Sequence, residues 1–291
     1  MTSMCPTPVL GRLRRFAAPL LLAAAGAAAV APARAQEAAV VVAPLVTYAD
    51  LAGLAEAASL VVLVTVRDQA LVEPERAPGL APGFARLYIE ARTEALLAGR
   101  SAIGESLAYL VDLPLDAKGK APKLKKQRFL VFADPVPGRR GELRLVDSTA
   151  QLPATPPTEQ LARSVIAEVA AADAPPRVTG IGNAMSVPGN LAGESETQIF
   201  LDTESGTPVS LTVIRRPEMA PQWGVSWSEI VDQSAQAPAP ETLEWYRLAC
   251  FLPGELPADA YMQDDSRSRR QANEDYRFIL EQLGGCPRLR A

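Results

Sequence analysis

The chain has 291 residues, 48% apolar, 21% charged and only 5% aromatic, with a formal net charge of −4, 26 prolines, three cysteines and no histidine. That much apolar material can build a core, which excludes disorder over most of the length. The absence of histidine excludes the commonest general base, the commonest zinc ligand and the imidazole member of every Ser-His-Asp or Cys-His site.

Residues 1–35 place Arg12, Arg14 and Arg15 ahead of an apolar run over 16–30, followed by Pro32-Ala33-Arg34-Ala35. A basic end, a short apolar segment and small residues at Ala33 and Ala35 predict a secretory signal peptide, cleaved between Ala35 and Gln36. The run of about fifteen residues falls short of the roughly twenty that span a bilayer, so no stable membrane span is expected after cleavage. Cys5 precedes the run and leaves with the peptide. Four arginines and no acid leave too, so the net charge falls from −4 to −8. So acidic a chain, poor in rings for stacking on bases, is not expected to bind nucleic acid.

Residues 36–47 are rich in alanine, valine and proline and predict an extended lead-in. A short helix follows, with Leu51, Leu54 and Ala55 on one face and Thr47 or Asp50 as its cap. The β-branched run at 60–66 predicts a strand buried on both faces. After a Pro- and Gly-rich loop over 73–83, Ala85, Leu87, Ile89 and Ala91 alternate with Arg86, Tyr88, Glu90 and Arg92, the period of a half-exposed strand. Further strands are expected at 107–113, 128–133 and 142–146, each bounded by Pro, Gly or Asp. Between two of them lies the densest charge in the chain. Lys118, Lys120, Lys123, Lys125, Lys126 and Arg128 put six cations into eleven residues and include all five lysines of the protein. They form a candidate anion-binding patch; the competing reading is a solvated hairpin tip whose charges blunt strand edges.

The segments Ala58-Ser59-Leu60-Val61-Val62 and Leu96-Leu97-Ala98-Gly99, in this strand order, resemble the OB-like barrel of exported domains related to the netrin-like module, over residues 48–148. The resemblance implies a small β-barrel domain. Barrels of this kind bind oligosaccharides, nucleic acids or proteins, so it does not choose a ligand.

Residues 149–157 predict a proline-rich linker and a domain boundary, after which Thr158 caps a helix to about 172 with Leu161, Val165, Ile166 and Val169 on one face. An antiparallel meander is expected over 196–202, 208–215 and 223–231. Gly193-Glu194-Ser195-Glu196-Thr197 matches a nucleophile elbow poorly: its last position is threonine, it precedes a strand, and no histidine exists to activate Ser195. Asp202-Thr203-Glu204-Ser205-Gly206 lacks the acid at the twelfth position of a calcium loop and is better read as a hairpin turn. Trp223, Trp227, Trp245 and Tyr246 are candidates for a stacking platform or for core. Glu194 with Glu196, or Asp264 with Asp265, are paired acids whose spatial separation the sequence leaves open.

The C-terminal part predicts two helices. One carries Leu243, Tyr246, Arg247 and Cys250 on one face and stops at Pro253-Gly254; the other runs from near Asp265 to Gly284-Gly285. Cys250 and Cys286, an even pair in an exported chain, predict a disulfide. Both lie at helix C-termini, so the helices cannot form a simple antiparallel hairpin, and residues 251–263 must carry the chain back.

Three phrases, Pro122-Lys123-Leu124-Lys125-Lys126-Gln127-Arg128, Gly193 through Leu201 and Trp245 through Pro253, resemble a family of exported proteins from sphingomonad-type alphaproteobacteria. That resemblance implies export and transfers no catalytic residue. The expectation is an α+β protein, periplasmic or secreted: an OB-like barrel at 48–148 and an α+β unit at 158–291 closed by the disulfide. It implies no cofactor and no metal. Its expected role is non-enzymatic binding or assembly with an envelope protein or an anionic envelope polymer. The alternative is a histidine-free, carboxylate-dependent hydrolase of such a polymer, which would need two converging acids in a water-excluding pocket.

Overall fold

The computed structural model describes residues 46–100, 102–228 and 235–290. The signal peptide, its cleavage site and the lead-in to Leu45 lie outside these. The described residues belong to one compact unit of mixed α and β structure, with two antiparallel sheets and four helices.

Helix α1 (Tyr48–Ala57) begins in a capping box: the Thr47 hydroxyl accepts from Asp50 N, and the Asp50 carboxylate accepts from Thr47 N. Both candidate caps are therefore used. β1 (Leu60–Leu71) pairs with β2 (Phe84–Ala98) and β4 (Arg128–Pro135), and β2 pairs with β3 (Ser106–Pro114). β5 (Leu143–Leu145) and β6 (Gln151–Pro153) both pair with β4, giving the order β3-β2-β1-β4-β5 with β6 to one side. Among the described residues the strand pairing does not close the expected barrel. β3 and the β5 segment meet through a parallel bridge, Ala108 to Glu142, with Ala108 N donating to Gly141 O at 2.7 Å and Asp112 N to Ser148 O at 2.6 Å.

β1 is buried from Leu60 to Val64, as its β-branched run predicts, whereas β2 alternates. Where β2 ends, Gly99 has a φ of 129°, and a Cβ there would lie 2.4 Å from Leu60 Cδ2 and 3.0 Å from Ser59 O. Only glycine fits that turn. The stretch expected as a linker, 149–157, contains β6; the Tyr109 hydroxyl bonds Gln151 Oε1 at 2.7 Å, and burial pushes the Tyr109 phenol up.

Helix α2 (Pro156–Val169) starts three residues earlier than the Thr158 cap implies, because Pro156 and Pro157 fill its first positions and Thr155 is the N-cap. It packs on α1 and β2. Arg128 joins it to the first sheet, bonding Glu94 at 2.9 Å and Glu159 at 3.2 Å. The Thr65 hydroxyl and Arg128 hold Glu94 below its ordinary 4.5; Arg163 and Arg128 do the same for Glu159. Both carboxyls take up protons more readily in the unfolded chain. Their contribution is therefore complete above about pH 4.5 and lost as pH falls through the depressed folded values. Arg128→Gln is expected to cost about 1 kcal/mol near pH 7, since the pairs are partly solvated, and much less near pH 3. Urea midpoints of both proteins at the two pH values check this; an equal cost at both would refute it.

The second sheet runs β10-β9-β8-β7, formed by β7 (Val178–Pro188), β8 (Ser195–Thr203), β9 (Val209–Arg215) and β10 (Gln222–Ser226). β7 is a strand that the pattern does not predict, since Gly180, Gly182 and Asn183 interrupt it; register shifts against β8 absorb the irregularity. The third expected segment is shorter than predicted, with β10 ending at Ser226; residues 229–231 lie outside the described residues. The face of Ile199, Leu201, Leu211 and Val213 belongs to the core. On the opposite face, Val225 N donates to Gln236 O, and a Cβ on Gly224 would sit 2.0 Å from Ala235 O, so glycine admits the chain there.

α3 (Leu243–Ala249) and α4 (Ser266–Leu283) form where expected, α4 between its Asp265 cap and Gly284. Cys250 and Cys286 are disulfide-bonded, with Cα atoms 5.0 Å apart. The chain between the helices returns along the edge of β7: Ala184 N donates to Ala260 O, Met262 N donates to Ala184 O, and the Gln263 side chain bonds both Ser186 N and Ser186 O. This covers an edge that would otherwise present free backbone groups. Beyond Cys286 the tail crosses to α1, where Leu289 N and Arg290 N donate to the Asp50 carboxylate. No helix among the described residues is long and apolar enough to cross a membrane.

Candidate functional site

The alternation of β2 turns Leu87, Ile89 and Ala91 into the core and Arg86, Tyr88, Glu90 and Arg92 outward. Register then sets Ala70 opposite Tyr88 and Tyr88 opposite Leu110, a row of apolar side chains across three strands on the outer face. Tyr88 is 39% exposed and Leu110 47%. The row forms the floor of a cleft of about 920 Å3 between the β1–β2 connection, with Val72 and Arg76, and the β4–β5 connection, with Arg139. At one end Arg86 grips Asp112 through two bonds of 2.7 and 2.8 Å.

On the other side of Tyr88 lies a second cleft of about 390 Å3, lined by Arg67, Glu90, Ser106, Arg140 and Glu142. A third, of about 890 Å3, passes between Ile103 and Pro137. All three border residues 136–142, so together they form a groove that bends around that connection. Its charges are mixed, with arginine in excess. Arg139 pairs with Glu142 at 3.1 Å, whereas Arg67, Arg76 and Arg140 make no ion pair among the described residues.

Such a groove can hold an extended ligand by stacking on the ring and by charge on the arginines. Of its acids, Asp112 and Glu142 are each paired with an arginine, whereas Glu73 and Glu90 make no ion pair among the described residues. Glu194 and Glu196 lie at the start of β8, and Asp264 and Asp265 before α4, away from this groove. Among the described residues, no three side chains converge as a metal site.

Ser195 opens β8, as expected of a turn entering a strand. Its Oγ is buried without a partner and borders a small cavity of about 60 Å3 shared with Ser186, Ser268 and Gln271. Behind it the buried Asp275 carboxylate bonds Thr197 and Arg215. No lysine lines this cavity, and the hydroxyl makes no hydrogen bond to Glu194, which does. Trp245 is core, its Nε1–H donating to Leu283 O, and Trp223 and Trp227 pack half-buried against the core, so no exposed tryptophan platform forms.

Lys118, Lys120, Lys123, Lys125 and Lys126 are all exposed on the β3–β4 connection, and none lines the three clefts. Arg128 separates from them: it belongs to β4 and is held by Glu94 and Glu159. Reading by residue missed the Tyr88–Leu110 row, although a signal was present, an aromatic in the polar phase of an alternating strand. Neither a protein-family model nor a curated protein matches the chain.

Proposed function

We propose that the protein is an exported, non-enzymatic binding module of the cell envelope that holds an anionic polysaccharide in the groove across β2 and β3. The carrying observation is the exposed Tyr88–Leu110 row set among arginines in an open cleft. A tyrosine face suits a sugar ring, and the arginines suit acidic substituents along an extended chain. The strand order and the parallel link from β3 to β5 support reading the first sheet as a partly open OB-like barrel, whose ligands lie across strands 2 and 3 between the 1–2 and 4–5 connections. The same two connections wall this cleft. The disulfide and the lack of a membrane-crossing helix among the described residues are compatible with a periplasmic or secreted location.

Calorimetric titration with polygalacturonate as an acidic probe and dextran as a neutral one tests the reading. Binding is expected for the acidic polymer alone, and Tyr88→Ala should weaken it roughly tenfold, the loss of about 1.4 kcal/mol of ring contact. Unchanged affinity in Tyr88→Ala, or equal binding of dextran, would overturn it.

A further inference from the structure

The protein spends its two kinds of cation differently. With one exception, the ion pairs among the described residues are made by arginine, as in Arg86 with Asp112, Arg215 with Asp275 and Arg247 with Glu56. The lysines are gathered on one surface loop. Among the described residues only Lys125 of the five has an ion partner, Asp68 at 3.4 Å, and both side chains are largely solvated, so that pair holds little.

The loop beneath them is tied down. The Asp116 carboxylate accepts from Lys118 N at 2.8 Å and Lys120 N at 2.9 Å. The Gln69 side chain clamps the loop from β1, donating to Pro122 O at 2.8 Å and accepting from Leu124 N at 2.5 Å, while Leu124 itself is buried. Lys126, at a φ of 69°, donates from its backbone to Val66 O at 2.8 Å. Five ammonium groups, only that of Lys125 in an ion pair among the described residues, thus stand on a base fixed by hydrogen bonds.

We propose that this loop docks the folded protein on an anionic lipid surface through Lys118, Lys120, Lys123, Lys125 and Lys126. Charge complementarity selects the partner. A small anion would need a pocket, and none of the clefts described is lined by any of the five. A bilayer presents laterally mobile charge that needs no matching shape, and lysine is the compact, hydrated point charge suited to it, whereas the arginine fork is suited to fixed carboxylates. The rest of the molecule sets the orientation. The chain from Gln36 carries −8 with these lysines included, so most of the surface outside this loop and the arginine-bearing groove is repelled, and the loop offers the densest positive charge. The contact is independent of the groove across β2 and β3.

Vesicle flotation of the disulfide-bonded protein, as recovered from its host, tests this with phosphatidylglycerol–phosphatidylcholine vesicles against phosphatidylcholine alone. Binding is expected only to the anionic vesicles and should vanish as salt rises toward about 1 M, where screening shortens to about 3 Å. Each lysine contributes about fivefold, so the K123S/K125S/K126S variant should bind about a hundredfold more weakly, and K123R/K125R/K126R should retain binding. The positions are exposed, and unchanged circular dichroism would verify the fold. Tyr88→Ala should leave flotation unchanged, which separates this contact from the groove. Undiminished flotation of the Ser variant, equal binding to neutral vesicles, or retention by heparin without flotation would each overturn the proposal, the last by assigning the loop to a soluble polyanion.

Discussion

Glu56→Ala is expected to lower the unfolding free energy by about 3–5 kcal/mol, the largest loss anticipated from a single substitution here. Glu56 on α1 bonds Arg247 on α3, and their side chains are only 8% and 5% exposed. Arg247 also donates to Pro175 O at 3.1 Å, but its Nη1 has no partner, so the carboxylate is its main compensation. Removing the acid strands a guanidinium in the interior. Removing both charges does not, so Glu56→Leu with Arg247→Met should recover most of the loss. Urea denaturation of the three proteins decides it. A cost below about 1 kcal/mol for Glu56→Ala would mean that water reaches Arg247 and that the pair does not join the helices as described.

Opening the Cys250–Cys286 crosslink is expected to cost about 4 kcal/mol, from the chain entropy that its loop restores to the unfolded state. Cys250→Ser with Cys286→Ser avoids free thiols and should match the wild type under reductant. The crosslink also holds the tail, in which Arg288 lies over the Tyr246 ring and Arg290 bonds Asp147 and Thr149. Hydrogen exchange in the first turn of α1 should therefore quicken in the variant, because the tail's hold on Asp50 slackens. A denaturation midpoint indifferent to reductant would remove the crosslink from the account of stability.

What could be read in advance follows from how local each determinant is. The limits of α4 are written at Asp265 and Gly284, and β2 in four alternating pairs, because capping and alternation act over a few residues. The start of α2 is set by a competition between Thr155 and Thr158, which the two intervening prolines decide in favour of Thr155. β7 was invisible because its glycines erase the pattern and its strand character comes from β8 and from the returning chain at Tyr261. Three-residue β6 exists only through its pairing with β4. The groove shows the same division. The lysines are contiguous and could be counted, whereas the meeting of Ala70, Tyr88 and Leu110 depends on cross-strand register between segments about twenty residues apart.

The Asp50 carboxylate completes the cap of the first helix with amides from residues 289 and 290. They lie 239 and 240 residues further along the chain. Until residues 286–290 have been made, the opening helix lacks these two donors and the crosslink its second sulfur, so the cap of α1 and the tie at Cys250 are completed late in folding.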